Sequence, residues 1–408
     1  MRISRRWFGI LVLLSMCGLS STLSSAPAQD NERPHGLVVV IPPREQRERA
    51  ELKSLSNPYI SGVAVQLNWR DIEPVQGQPD WSKLDELFAA AQSKGKWVHL
   101  LIFPGFFAPQ WAKEGAQTDT FPIQYGPGAG TVESLAMPWD RVYLNRWFAF
   151  LKRVSARYGN SPSFRMIAAD GPTSVSAEMT LPNKPTDHKK WMNDGYTVKK
   201  YLGAWNEVFR AYASIFPNQC ISLSAPGLEV LGPGKKDPGE RMRARQEILE
   251  MASGILGRRL AIQFSNLHVG RAAADGPDQT EFLINHSGRM ITGLQMRCSA
   301  EGGSAVMGAA GNPPLALRRC VDKGMQPNSA GRHINYLEIY EPDVVAEEMQ
   351  PVLQYAASLF SQNESLRRTA GPGRQMQTEE SSLSQNQPLE GGRSDFRKRM
   401  RRPAFENQ

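Results

Sequence analysis

The sequence is poor in cysteine, with four in 408 residues. None stands in a CxxC pair, which excludes a zinc ribbon and a dense disulfide scaffold. Long apolar runs are missing too. The one membrane-directed run, Trp7 to Leu14, falls short of the roughly 20 residues a spanning helix needs. A dinucleotide-binding fold would follow its first strand with a glycine-rich phosphate turn, but Ile41-Pro42-Pro43 stands there instead. No GxSxG turn occurs, so a Ser-His-Asp hydrolase has no support. His99 and His268 lie on or just after apolar runs, yet no residues have the spacing of a metal cluster. No cofactor site is evident, and no internal repeat.

Basic charge is present, with a formal net charge of +8, but its distribution argues against nucleic acid. Arg393, Arg397, Lys398, Arg399, Arg401 and Arg402 crowd the C-terminus, and Arg2, Arg5 and Arg6 the N-terminus. The body between is nearly balanced.

The N-terminal arginines, the short apolar run and Ala26-Pro27-Ala28 together read as an export signal over 1–28. Ser4-Arg5-Arg6-Trp7-Phe8 resembles a twin-arginine signal, and an ordinary secretory signal containing Arg-Arg is the alternative. Met16 before Cys17 is too bulky for a typical lipoprotein cleavage site. The expected mature product begins near Gln29 and carries no membrane span. It retains Cys220, Cys298 and Cys320. Cys298 and Cys320 could pair in an oxidising compartment, or all three could be small buried hydrophobes.

Hydrophobic residues make up 40% of the chain and tryptophan occurs nine times, enough for a packed core. Short β-rich runs alternate with amphipathic helices from Gly36 to Phe360. The runs cover 36–41, 62–67, 97–102, 164–169, 220–224, 260–264, 291–296 and 334–339. Several are almost wholly apolar, as parallel strands buried on both faces must be. Helices are predicted over 82–94 (with Asp80 as N-cap), 143–158, 198–216, 241–256, 313–323 and 344–359. Eight such units suit one (β/α)₈ TIM barrel over 29–362, and a doubly wound sheet is the runner-up. Residues 363–408 are rich in Gln, Ser, Glu, Arg and Gly, and are expected to form a disordered basic tail.

In such a barrel the chemistry lies in the loops that leave the strands. After the second run comes Asn68-Trp69-Arg70-Asp71-Ile72-Glu73-Pro74-Val75-Gln76-Gly77, continuing to Asp80-Trp81 and Leu84-Asp85. After the third comes Phe103-Pro104-Gly105-Phe106-Phe107-Ala108-Pro109-Gln110-Trp111, and Arg157-Tyr158-Gly159-Asn160-Ser161-Pro162 precedes the fourth. These pieces, in this order, resemble the clan of retaining barrel glycosidases that includes β-galactosidases and cellulase-like enzymes. The resemblance covers about a third of the chain. It implies that Trp69 and Trp111 line a sugar cleft, with Arg70 between the motif residues. Phe106, Phe107 and Trp111 also stand as large aromatics in a Pro/Gly loop, suited to stacking on sugar faces or packing on other loops.

Glycoside hydrolysis usually uses two carboxyl groups. The resemblance implies an Asn-Glu pair ending strand four and a Glu ending strand seven. Strand four instead ends Ala168-Ala169-Asp170-Gly171-Pro172. Either Asp170 replaces the acid, or Glu178 reaches in from the following loop; Glu178, between Ala177 and Met179, is favoured. After strand seven, Glu301 is the first choice for the second carboxylate. Strand eight offers Glu338, alternating with Leu337 and Ile339, and then Tyr340 as a cleft residue. Glu338 is equally compatible with a structural pair to Arg297.

Three functions follow. The first is an exported glycoside hydrolase acting on a polysaccharide or oligosaccharide. The second is a catalytically degenerate carbohydrate-binding barrel, motivated by the missing Asn-Glu. The third is an envelope interaction protein working through its basic tail. No cofactor, metal or nucleic acid is implied by any of them.

Overall fold

The computed structural model describes residues 33–43, 53–126, 128–224, 238–270 and 280–369. The expected signal segment therefore lies outside the described residues, as does the tail from 370 onward.

The strands are β1 (Gly36–Ile41), β2 (Ile60–Asn68), β3 (Trp97–Phe103), β4 (Thr118–Pro122), β5 (Val132–Ala136), β6 (Phe164–Ala168), β7 (Cys220–Ser224), β8 (Leu260–Leu267), β9 (Ile291–Met296) and β10 (Tyr336–Tyr340). Eight of them close a barrel in the order β1-β10-β9-β8-β7-β6-β3-β2, and every barrel pairing is parallel. All eight sit on the apolar runs. β1, β3 and β9 are buried along their whole length, as a strand walled by helices outside and side chains inside must be. Gly293 on β9 makes room at the base of the barrel. A Cβ there would sit 2.0 Å from the ring of Tyr336, which fills that space.

The helices wrap the outside through one apolar face each. Arg141–Tyr158 starts at Asp140, whose carboxylate accepts the Tyr143 amide at 2.9 Å. It buries Leu144, Trp147, Leu151 and Val154 at helical spacing, at about 1.5–3 kcal/mol for each large side chain. Val198–Ile215 is capped the same way by Thr197. Asp80 binds the Ser82 amide as expected, although the cap position itself is Trp81.

Three expectations change. The continuous helix over 344–359 is broken into Glu341–Val345, a 3₁₀ turn at Glu347–Met349, and Gln350–Thr369. Pro351 is the reason: it has no N–H to continue a helix begun at 344, but fits the first turn of a new one. That helix runs to Thr369. Cys298 and Cys320 are not bonded to each other; the buried Cys320 thiol donates to the Met307 carbonyl at 3.2 Å. Between β3 and β6 an antiparallel hairpin, β4–β5, appears where no strand was expected. Its sequence, Thr118-Asp119-Thr120-Phe121-Pro122, is too polar and too short to show a strand pattern.

Candidate active site

The barrel interior narrows to a small cavity of about 40 Å³ at the C-terminal end of the strands. Gln66 of β2, Leu101 and Phe103 of β3, Ser222 and Ser224 of β7, Gln263 and Ser265 of β8, and Gln295 of β9 line it. They are inward-facing by strand alternation, two residues apart within β3, β7 and β8. The mouth is covered by the loop after β6, which contributes Ser176, Ala177 and Glu178.

Backbone bonds fix that loop. The Met179 amide donates to the Ser224 carbonyl at 3.2 Å, so Glu178 lies alongside the end of β7. On the other side the Phe106 amide donates to the Ser174 carbonyl at 2.9 Å. Gly105 permits this approach: its φ is +33°, and a Cβ there would stand 2.0 Å from the same carbonyl. Burial pushes the Glu178 carboxyl up to about 7, offset in part by a hydrogen bond with Tyr125 from the β4–β5 turn.

Beneath the cavity the polar residues form one network. Glu338 is fully buried, with Oε1 2.7 Å from His99 Nδ1 and Oε2 accepting from Gln263 Nε2 at 2.8 Å. His99 Nε2 lies 2.8 Å from Ser222 Oγ, and the Tyr336 hydroxyl donates to Gln263 Oε1 at 2.9 Å. Tyr340 stands one inward step above Glu338, its hydroxyl 3.4 Å from Gln295 Nε2. Burial and the charges of Glu338 and Glu178 all raise the proton affinity of that hydroxyl.

The other expected residues lie elsewhere. Asp170 is completely buried behind the barrel wall, where Oδ1 accepts from Gly171 N and Thr173 Oγ. Oδ2 has no partner among the described residues, and burial drives the carboxyl well above its usual range. Glu301 is exposed on the short helix Ala300–Gly303 and does not line the cavity. Asp343 instead turns inward to bind Ser299 Oγ and the amides of Ala300 and Glu301, capping that helix. Glu338 pairs with His99 rather than Arg297.

The aromatic residues expected in a sugar cleft are mostly packed. Trp69 is 0% exposed, wedged among Trp111, Trp147 and Phe150 at ring distances of 5.4, 5.0 and 5.4 Å. Its indole N–H donates to Glu73, which also takes the Gly77 amide and an ion pair from Arg153. Phe106 and Phe107 are buried in the turn Gly105–Phe107, leaving the exposed Arg70 to lie over the Phe107 ring at 5.3 Å. Trp111 is half-buried, and donates to the Glu73 carbonyl at 3.1 Å. Residues that the motif reading missed are Gln66, Ser222, Ser224, Gln263, Ser265 and Gln295. The available signal was a polar side chain at every second position of otherwise apolar strands. Among the described residues no cluster of His, Cys, Asp or Glu could hold a metal ion.

The closed parallel barrel with helices around it is a (β/α)₈ TIM barrel, with Glu178 at the mouth of its cavity. Residues 44–222 match the family model of glycoside hydrolase family 42, described as beta-galactosidase, and the chain is similar to that family over this stretch. No curated protein matches the sequence. Among solved structures, a GH5_18 protein from Bifidobacterium longum subsp. longum, solved in complex with Manβ1-4GlcNAc, aligns over 80% of this chain and 78% of its own. Identity is 11% and the TM-score 0.51, a likeness of fold. An exo-beta-1,4-mannosidase from an Opitutaceae bacterium aligns at 12% identity and TM-score 0.46, over 81% of this chain and 60% of its own. A beta-galactosidase from Halorubrum lacusprofundi aligns at 11% identity and TM-score 0.49, over 80% of this chain and 58% of its own. This chain thus spans about three fifths of the length of those two proteins.

Proposed function

We propose that the protein is an exported glycoside hydrolase in which Glu178 protonates the leaving glycosidic oxygen. The observation that carries this is the placement of Glu178 at the cavity mouth with its carboxyl pushed up to about 7. A general acid works best when it still holds its proton near the working pH, and burial supplies that here. Glu338 is the second carboxylate of this reading. Both its oxygens are already hydrogen-bonded, so it acts as a fixed negative charge below the sugar and not by direct attack. The cavity holds only a few water molecules, so the saccharide binds across the mouth, beside Glu178, and not within it. Export rests on Arg2, Arg5, Arg6 and the Ala26-Pro27-Ala28 pattern.

A binding-only barrel is the second reading, and one residue favours it. Gln295 is the inward residue near the end of the seventh barrel strand, where the resemblance implies a Glu. An amide can neither attack a sugar nor titrate.

The test is a panel of β-galactosides and other β-linked oligosaccharides offered to the full-length protein. Product release that falls at least about 10²-fold in Glu178→Gln supports the hydrolase. Saturable binding without release supports the second reading. Neither binding nor release would overturn both.

A further inference from the structure

Three side chains from three separate strands meet in the barrel interior in a fixed order. Ser222 Oγ on β7 lies 2.8 Å from His99 Nε2 on β3, and His99 Nδ1 lies 2.7 Å from Glu338 Oε1 on β10. The remaining Glu338 oxygen is held by Gln263, which is held in turn by the Tyr336 hydroxyl. Barrel interiors are ordinarily filled with branched apolar residues, which need no desolvation of polar atoms. This one devotes five positions to a single polar chain that ends at a hydroxyl lining a cavity.

We propose that Ser222, His99 and Glu338 are a nucleophilic triad that hydrolyses esters of short-chain carboxylic acids. A triad is recognised by geometry and roles, whatever the order of its members in sequence. As a carboxylate, Glu338 can only accept, which puts the imidazole proton on Nδ1 and leaves Nε2 to accept from Ser222. Ser222 Oγ attacks the ester carbonyl carbon while its proton passes to Nε2. The tetrahedral intermediate collapses by breaking the bond to the alkoxy oxygen, which leaves as the alcohol with that proton. Water then attacks the acyl-serine, giving its proton to Nε2. Collapse returns that proton to Ser222 Oγ and releases the carboxylic acid. The side-chain amides of Gln66 and Gln295 line the same cavity and supply hydrogen-bond donors for the oxyanion. The acyl group is short because about 40 Å³ leaves no space for a long chain. This activity stands apart from glycoside hydrolysis: it uses Ser222 as nucleophile and makes no demand on Glu178.

Methanesulfonyl fluoride is the appropriate probe, since its methyl group matches the expected acyl size. The full-length protein is incubated with it, weighed intact, and digested to map the adduct. In parallel, hydrolysis of p-nitrophenyl acetate and p-nitrophenyl octanoate is followed. The expected result is one adduct on Ser222 and turnover of the acetate in preference to the octanoate. Ser222→Ala and His99→Gln should each lower acetate turnover about 10³-fold or more. Mapping on the unaltered protein requires no variant to fold. The proposal is overturned if Ser222 stays unmodified under conditions that label a control serine hydrolase. It is equally overturned if a folded Ser222→Ala protein keeps full acetate turnover.

Discussion

The aromatic wedge around Trp69 and the polar chain around His99 occupy opposite ends of the relation between motif and chemistry. The wedge is built from residues that carry the glycosidase resemblance, Trp69, Glu73 and Trp111, packed against Trp147 and Phe150 of the helix Arg141–Tyr158. These residues are close in sequence or repeat at helical spacing, so they read as a motif. Yet their rings and carboxylate are turned on one another, and their work is to hold the β2 and β3 loops against the helix Arg141–Tyr158. The polar chain has no motif at all. Its members lie between 73 and 239 residues apart along the bonds that join them, from Tyr336–Gln263 to His99–Glu338, and they meet only once the barrel closes. A motif in this chain therefore marks a packed support, whereas the polar side chains that face the cavity sit on scattered strand residues.

The sharpest way to break that comparison is Trp69→Ala. If the wedge is support, the substitution opens a cavity among Trp111, Trp147 and Phe150 and strips Glu73 of a donor. It should cost about 3–5 kcal/mol in denaturant unfolding. A stable variant with weakened saccharide binding would instead return Trp69 to a cleft role.

Next in size is the pH dependence that Glu178 imposes. Its folded carboxyl is raised from 4.5 to about 7, so the folded state holds a proton that the unfolded state has released between those values. Stability from this group is therefore greatest below pH 4.5 and falls as pH rises toward 7, by on the order of 3 kcal/mol. Unfolding of the full chain measured from pH 4 to 8 should show this loss relative to Glu178→Gln, which has no proton to release. Parallel curves for the two proteins would show that Glu178 is solvated like an ordinary loop residue.

Arg70→Ala should have the smallest effect. Arg70 is exposed and lies over the Phe107 ring, a contact worth about 0.5–1 kcal/mol at such a site. A larger loss of stability would mean that the rim of the wedge is as tightly coupled as its centre. A loss of saccharide binding without a loss of stability would make Arg70 a recognition residue.

All eight barrel strands were legible in the sequence, as was the helix Arg141–Tyr158 with its apolar face. Burial on both faces of a parallel strand leaves an apolar run, and burial on one face of a helix leaves a period, and both survive in a linear string. Glu178 was also legible as a carboxyl beside Ala177 and Met179, because its surroundings are partly its own sequence neighbours. Asp170 and Glu301 misled for the opposite reason. Whether a loop acid turns into the wall, like Asp170, or out to solvent, like Glu301, depends on partners such as Thr173 and Asp343 and on how the loop is anchored. The polar interior was beyond reach in the same way. That Ser222, His99, Gln263 and Glu338 share one network follows only from closing the sheet, which brings β3, β7, β8 and β10 around a common axis. Local burial and periodicity determine the elements, but direction and distance across a barrel exist only once it has closed.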